Sequence, residues 1–509
     1  MNFITNRVIR YFLHRHVNKV YAWLDNPLPY QQKLFQDLIA LNGNTEWGKT
    51  HGFAKIRTPQ AFAQQIPLQD YDSLKPYIQR TLNGEQDILW HQPINWFAKS
   101  SGTTSDKSKF LPLSPQAIHQ CHIAGSQDLM ALYIQHNPKT TIFGGKSLIL
   151  GGSHEVNQLN RFARYGDLSA VLLNHLPAVA KLLRTPNTDI SLLPNWEEKI
   201  ERTAQLVVKQ SITNFAGVPT WFLVLFKRVL EISGKDNLLE VWPNLELYMH
   251  GGVSFTPYTH VFKQLIPNAN MQYWQTYNAS EGFFAIQDQP YRNDMALLLN
   301  HGIYYEFMPM SEMGSSQPRT LNLEEVETGK NYALVITTNA GLWRYLPGDT
   351  VMFTTLKPYR IRVTGRTRHF INAFGEELIV DNADAAIEVA SLKTNAEVQE
   401  YTAAPIYFSE TGNGGHEWLI EFSNPPQNLF EFAQHLDTTL KQVNSDYEAK
   451  RYQDMAMQFP VVTAVPAGTF YRWLKFKGKL GGQHKVPRLA NDRQYLDEIK
   501  KFTEIDTSS

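Results

Sequence analysis

The chain has 509 residues, 43% hydrophobic and 12% aromatic, with Lys+Arg and Asp+Glu both at 48. That length buries a large core and calls for more than one domain, while the balanced charge leaves no basic field to hold nucleic acid and no acidic tail. A single cysteine, Cys121, excludes an intramolecular disulfide and a Cys-based zinc or iron–sulfur site, fits a reducing compartment, and reads as a small helix-face residue.

The first stretch, Met1 to Leu24, mixes Arg7, Arg10, Arg15 and Lys19 through its apolar positions, so it lacks the segregated blocks of a signal peptide. Val8, Tyr11, Phe12, Val17, Val20, Tyr21 and Leu24 give an amphipathic helix, expected to pack on the body of the protein, with a membrane surface as the other resting place. No run approaches the ~18 apolar residues of a membrane span, so the expectation is a soluble, cytoplasmic protein. From Pro29 to about Gly84 the pattern is helical, with Leu34, Leu38, Ile39 and Leu41 on one face.

Ser100-Ser101-Gly102-Thr103-Thr104, extended by Ser105, Asp106, Lys107, Ser108 and Lys109, then reads as a loop between apolar flanks. Glycine admits close backbone approach, hydroxyls and backbone N–H groups donate, and lysine brings charge, which together suit a polyanion; a solvated Ser/Thr linker has the same composition. Ser114-Pro115 is a helix start, with Ser as N-cap and Pro at the first helical position, running to about Gln135. Gly144-Gly145-Lys146-Ser147 imitates the end of a P-loop, but position 140 is Thr where Gly is required, and the motif precedes its strand. Gly412-Asn413-Gly414-Gly415 fails as a dinucleotide fingerprint in the same way, with Glu417 at the third glycine position.

Leu245 to Gly252 and Asn270 to Tyr277 read as strands entering polar, Gly-containing turns, as in a mostly parallel α/β sheet whose carboxyl ends carry the site. From about Tyr304 the texture becomes antiparallel: Tyr332 to Thr338, Leu342 to Tyr345, Thr350 to Thr354 and Tyr359 to Thr364. Beyond Arg366 come a helix from about Asp381, strands at Ala404 to Phe408 and Trp418 to Phe422, and a helix from Asn428 to about Val443. That change marks a separate C-terminal domain.

Three further stretches carry candidate chemistry. In Tyr277-Asn278-Ala279-Ser280-Glu281-Gly282 an aromatic is placed to flank a base and Glu281 to hold a metal. Asp349, ending Trp343-Arg344-Tyr345-Leu346-Pro347-Gly348-Asp349, suits the two hydroxyls of a ribose, or simply completes a hairpin turn. In Gly481-Gly482-Gln483-His484-Lys485-Val486-Pro487-Arg488 a lysine and an arginine sit on a glycine-flanked segment suited to a lid, or to a basic surface loop.

In this order, together with Asn44 to Gly48, Pro67 to Tyr71, Phe97 to Thr104, Gly251-Gly252-Val253 and Gly365-Arg366, these stretches resemble the GH3 family of acyl-acid amido synthetases, in the adenylate-forming superfamily. The resemblance spans nearly the whole chain. It implies an α/β fold in which residues 1–366 form a large N-terminal ATP- and acyl-binding domain of mixed sheets with a β-barrel-like part, and residues 367–509 a small, mobile α+β lid. Ser100, Ser101, Gly102, Thr103 and Thr104 would then form the phosphate loop, Gly251, Gly252 and Val253 would run along the adenine, and Tyr277 would stack on it. Glu281 would serve Mg²⁺, Asp349 the ribose, Arg366 the domain junction, and Lys485 the reacting phosphate, with Lys485, Glu281 and Thr104 as the catalytic group. The implied reaction is ATP-dependent activation of a small carboxylic acid as its acyl-adenylate, followed by transfer to an amine, expected to be an amino acid. An acyl-CoA ligase sharing the first step, and an inactive nucleotide-binding regulator, are the alternatives. Leu346 stands where related motifs carry Arg, while Arg344 lies two positions earlier. His119, His250 and His484 qualify by type alone as the base for the amine. Nothing in the sequence calls for an obligate protein partner.

Overall fold

The computed structural model describes residues 3–103, 106–151, 156–193, 195–253, 255, 258–367, 370–408, 414–454, 456–477 and 486–505. It divides into two compact units, one of residues 1–100, 109–252 and 263–367, the other of residues 101–108, 253–262 and 368–509.

In the first unit, helix α1 (Phe3–Asp25) buries Val17, Val20, Trp23 and Leu24 and packs along helix α2 (Ala124–His136). The join is polar at its centre. Asp128 on α2 meets His16 Nε2 at 2.6 Å and His301 Nε2 at 3.1 Å, and accepts from Trp23 Nε1 at 3.2 Å. Burial pushes the Asp128 carboxyl up, but these partners outweigh it and hold the group below the usual carboxylate range. A folded-state pKa lowered in this way contributes stability above the unfolded value of about 4, lost as pH falls through the folded value. Asp128→Asn should therefore cost about 1–3 kcal/mol at pH 7. Urea midpoints would show the gap from wild type narrowing as pH falls below the unfolded-state value of about 4.

Ser114 caps as its sequence suggests, its Oγ accepting from the Ala117 N–H at 2.9 Å. The next residues, Ala117–Ile123, wind as a π-helix before α2 begins. In helix Leu28–Asn42, Phe35, Leu38 and Ile39 are buried and Leu41 is 53% exposed, so the inward face is one residue out of phase with the expected one. Gln31 on this helix is spent on backbone: Nε2 donates to the Leu299 and Ile303 carbonyls at 2.8 and 2.9 Å, and Oε1 accepts from Tyr305 N–H at 3.1 Å.

The Ser/Thr-rich stretch is largely strand, not loop. β1 (Trp96–Thr103) and β2 (Asp106–Leu113) neighbour each other in a four-stranded sheet with Arg164–Gly166 and Asn157–Gln158. Phe97, Ala98, Leu111 and Leu113 are buried and anchor the pair, and the ladder carries its extended geometry into the polar residues.

The remaining strands are β3 (Lys146–Ile149), β4 (Arg184–Thr185), β5 (Ile212–Gly217), β6 (Leu247–His250), β7 (Gln272–Ala279), β8 (Gly282–Ile286), β9 (Met295–Leu297), β10 (Ile303–Pro309), β11 (Asn331–Thr338), β12 (Asp349–Leu356) and β13 (Tyr359–Arg366). Among the described residues they form one eleven-stranded sheet in the order β10-β11-β12-β13-β9-β8-β7-β6-β5-β3-β4. Pairing is parallel from β4 to β7 and antiparallel from β7 to β10. The two textures read from sequence thus meet at the β7–β8 hairpin. The expected strand at Leu342 to Tyr345 does not form: Gly341 and Arg344 have φ of 85° and 43°, and only Tyr345 bridges, to Gln69 and Ile336.

In the second unit, helices α3 (Val380–Thr394) and α4 (Leu429–Val443) pack on each other. Beside them is a sheet ordered β14 (Glu397–Ile406), β15 (Gly415–Asn424), β16 (Val461–Val465), antiparallel then parallel. The first of these strands begins and ends earlier than Ala404 to Phe408. Trp418, Ile420, Phe432, Leu436 and Tyr447 are among its core residues. Asn428 caps α4 through the Phe430 and Glu431 N–H groups. This unit therefore has its own core and its own α+β architecture.

Candidate functional site

Asp349 opens β12 directly opposite Arg366, the last residue of β13. Opposite charges facing across an antiparallel pair attract, and Arg366 Nε donates to Asp349 Oδ1 at 2.8 Å. The other oxygen, Oδ2, accepts from the Tyr277 hydroxyl at 2.6 Å. Three strands, β13, β9 and β8, separate Asp349 from Tyr277 within the sheet, so the contact requires the sheet to curl strongly here. Asp349 and Tyr277 are buried, and the Tyr277 ring leans on Phe284 with centroids 4.8 Å apart. Burial first, and the Asp349 charge second, push the Tyr277 phenol well up, so it remains a protonated donor.

Glu281 sits in the turn that joins β7 to β8. Its charge is felt at the hydroxyls of both Tyr277 and Tyr345, and Arg366 acts on the same two with the opposite sign. The first unit therefore gathers Tyr277, Glu281, Asp349 and Arg366 into one cluster with Tyr345. Gly251, just past β6, belongs to the same neighbourhood: a Cβ there would lie 2.6 Å from the carbonyl and hydroxyl oxygens of Thr276, the residue before Tyr277. Gly252 follows with φ of 82°, a conformation that glycine adopts without strain. Gly251→Ala should accordingly destabilise the protein by about 1–3 kcal/mol. Gly144→Ala is the control: nothing lies within 4 Å of its Cβ position, and the urea midpoint should hardly move.

The other expected site residues are placed less completely. Ser100 is half-buried in β1. Ser101, Gly102 and Thr103 continue that strand and, with Val253, fall in the second unit. Thr104 and Lys485 lie outside the described residues. The chain just after Lys485 is firmly held within the second unit. The Pro487 carbonyl accepts from Thr402 Oγ1 at 2.7 Å, the Arg488 carbonyl accepts from Ala403 N–H at 2.8 Å, and the Arg488 guanidinium pairs with Asp384 at 2.6 Å. Arg488 is thus tied to the sheet and helix of its own unit and does not belong to a loop free to swing apart from them.

Arg344 is likewise structural. It is buried, pairs with Glu306 at 3.0 Å, and donates to Thr320 Oγ1 and to the Ala63 and Ile66 carbonyls. Of the histidines, His119 is exposed, His484 lies outside the described residues, and burial pushes His250 down to about 3. His122 went unnoticed in the sequence. It is 1% exposed, and burial pushes it down to about 4 against the opposing influence of Asn278, in the turn-bearing segment after Tyr277. Cys121 and His122 are consecutive and both buried; the π-winding widens the inward face to admit them, a register change that helical periodicity does not announce. Burial pushes the Cys121 thiol up to about 12, which leaves no thiolate nucleophile.

Among the described residues no group of three or more His, Cys, Asp or Glu side chains is arranged to hold a metal ion. A single carboxylate such as Glu281 nonetheless suits Mg²⁺, which takes most of its oxygens from nucleotide phosphates and water.

The GH3 family N-terminal domain matches residues 16–271, its central domain 296–366 and its C-terminal domain 381–494. The chain is 25% identical to the indole-3-acetic acid-amido synthetase GH3.3 of Arabidopsis thaliana, over 91% of this chain and 89% of that protein. It is 23% identical to the jasmonoyl-L-amino acid synthetase JAR4 of Nicotiana attenuata, covering 90% of each. Among solved structures, the acyl acid amido synthetase AtGH3.15 in complex with 2,4-DB superposes with a TM-score of 0.62 at 17% identity, covering 95% of both chains. A 2-hydroxyisobutyryl-CoA ligase does so with a TM-score of 0.54 at 14% identity, covering 99% of this chain and 92% of the ligase, a likeness of fold. Three consecutive domain matches, in the order the chain folds them, establish that this protein belongs to the GH3 family.

Proposed function

We propose that this protein is an AMP-forming ligase: it activates a carboxylic acid with ATP as an acyl-adenylate, then passes the acyl group to an amine, an amino acid being the expected acceptor, to form an amide. The observation that carries this reading is the buried Asp349 carboxylate, held from two sides by Tyr277 and Arg366. Each of its oxygens keeps lone-pair capacity beyond the one bond it accepts, as a group that receives both hydroxyls of a ribose requires.

In this reading Tyr277 fixes Asp349 and offers its ring to the adenine beside Gly251, Gly252 and Val253. Ser100 to Thr104 grip the phosphates that leave as pyrophosphate. Glu281 holds Mg²⁺, which when bound neutralises phosphate charge. A carboxylate attacking the α-phosphate brings like charges together, and Lys485 offsets the charge that builds there. Arg366 marks the junction between a nucleotide- and acyl-binding part, residues 1–366, and a closing part, residues 367–509, which excludes water from the adenylate. His122, neutral at pH 7, joins the candidates for taking the proton of the amine. A cytoplasmic setting suits a lone, buried thiol and an ATP-using reaction.

The test is acid-dependent ATP–pyrophosphate exchange across a panel of carboxylic acids, with mass spectrometry of products formed when amino acids or coenzyme A are added. Exchange with at least one acid and an amide product support the reading. A thioester as the sole product turns the enzyme into an acyl-CoA ligase, and absence of exchange with every acid overturns adenylation.

A further inference from the structure

Helix α1 has a second face that the packing on α2 does not use. Val8, Tyr11 and Phe12, spaced i, i+3 and i+4, are 48%, 57% and 65% exposed. The Tyr11 and Phe12 rings meet edge to face, 5.7 Å between centroids, and the Arg15 guanidinium lies 5.7 Å from the Tyr11 centroid, with Nη1 donating to the Tyr11 hydroxyl at 3.3 Å. Arg7, His14, Arg15 and Lys19 are exposed around this stripe. Before the closing Asp25, the helix carries no carboxylate, in a chain whose charges otherwise balance. Between α1 and the end of α2 lies a cleft of about 470 Å³, lined by Arg7, Arg10, Tyr11, His14, Ile134 and Gln135. The acidic groups packed nearby are turned to other uses: Asp128 faces inward to His16 and His301, and Glu246 accepts from Thr140 and Thr141 while attracting Arg10.

We propose that this face of α1 docks on an anionic lipid bilayer. Val8, Tyr11 and Phe12 enter the boundary between headgroups and acyl chains, Arg7, Arg15 and Lys19 meet lipid phosphates and carboxylates, and the cleft receives one headgroup. Charge complementarity selects this occupant, because a basic helix with an aromatic–aliphatic stripe matches an anionic interface. Area argues against a second copy of the chain: three side chains fall far short of the roughly 800 Å² per partner of a stable dimer. The helix lies on the surface and does not cross it, and among the described residues no helix is long and apolar enough to do so. The inference is independent of the adenylation reading.

Flotation of the full chain with phosphatidylcholine vesicles, with and without phosphatidylserine, tests it. The chain should float with the anionic vesicles only, and less as salt rises. Tyr11→Ser/Phe12→Ser and Arg7→Glu/Arg15→Glu should each lower the partition coefficient by about tenfold or more. Both alter exposed side chains, so melting temperature should stay at the wild-type value. Failure to float with anionic vesicles at low salt overturns the proposal, as does binding that neither double variant weakens. Light scattering that reveals a dimer abolished by the same variants also overturns it, making the face an interface between copies.

Discussion

Asp349→Ala should raise the ATP concentration needed for half-maximal acid-dependent pyrophosphate exchange by about two orders of magnitude, equivalent to roughly 3 kcal/mol, and should also lower the melting temperature. Both effects follow from the same geometry. Removing the carboxylate takes away the group proposed to receive the ribose, and it leaves the Arg366 guanidinium and the buried Tyr277 hydroxyl without the partner that each now has at 2.8 and 2.6 Å. Arg366 retains some solvent contact, its side chain being 24% exposed, which keeps the stability loss below that of a fully buried broken pair. Tyr277→Phe separates the two roles. It deletes one hydrogen bond, should cost about 1 kcal/mol in stability, and should keep most of the affinity for ATP. A loss of melting temperature with unchanged exchange kinetics in Asp349→Ala would reduce the residue to a structural tie.

Lys485→Ala should slow acyl-adenylate formation about 10²- to 10³-fold while leaving the KM for ATP nearly unchanged, the mark of an interaction made chiefly in the transition state. The chain two and three residues further on, at Pro487 and Arg488, is hydrogen-bonded to β14. Purified acyl-adenylate supplied to the variant together with an amine should react at close to the wild-type rate. A raised KM for ATP with unchanged kcat would recast Lys485 as a nucleotide-binding residue.

What could be read from the sequence, and what could not, follows from the range of each interaction. Capping is local, so Ser114 and Asn428 announced their helices. The parallel and antiparallel textures were visible in the spacing of strands and glycine turns, but their fusion into one sheet was not, since it depends on the β7–β8 hairpin pairing outward on both sides. Polar composition suggested a loop at Ser100 to Thr103, whereas the stretch continues β1, which neighbours β2 and is anchored by buried side chains such as Phe97 and Leu111. Tyr277, Glu281, Asp349 and Arg366 were legible as motifs, each in its own turn or strand end. Their convergence depends on sheet curvature, a property of the assembled strands. Arg344 drew notice beside Leu346, and Arg488 as part of a possible lid, because charge is visible in a sequence, while their partners Glu306 and Asp384 lie 38 and 104 residues away. His122 escaped notice because a π-turn shifts the phase on which helical reading rests.

Gln31 carries a consequence for solubility. β10 is the last strand on its side of the sheet, and a bare strand edge is a template on which another chain can pair. The Gln31 amide presents to that edge a carbonyl and an N–H, the same pair of groups a neighbouring strand would offer, and occupies Ile303 and Tyr305; two residues on, Phe307 exchanges both backbone bonds with Leu321. One side chain from a helix and one residue from a loop thus stand in for a twelfth strand. This edge of the eleven-stranded sheet is closed at Ile303, Tyr305 and Phe307 by the protein's own chain, which denies a second chain the backbone groups it would need to add a strand there.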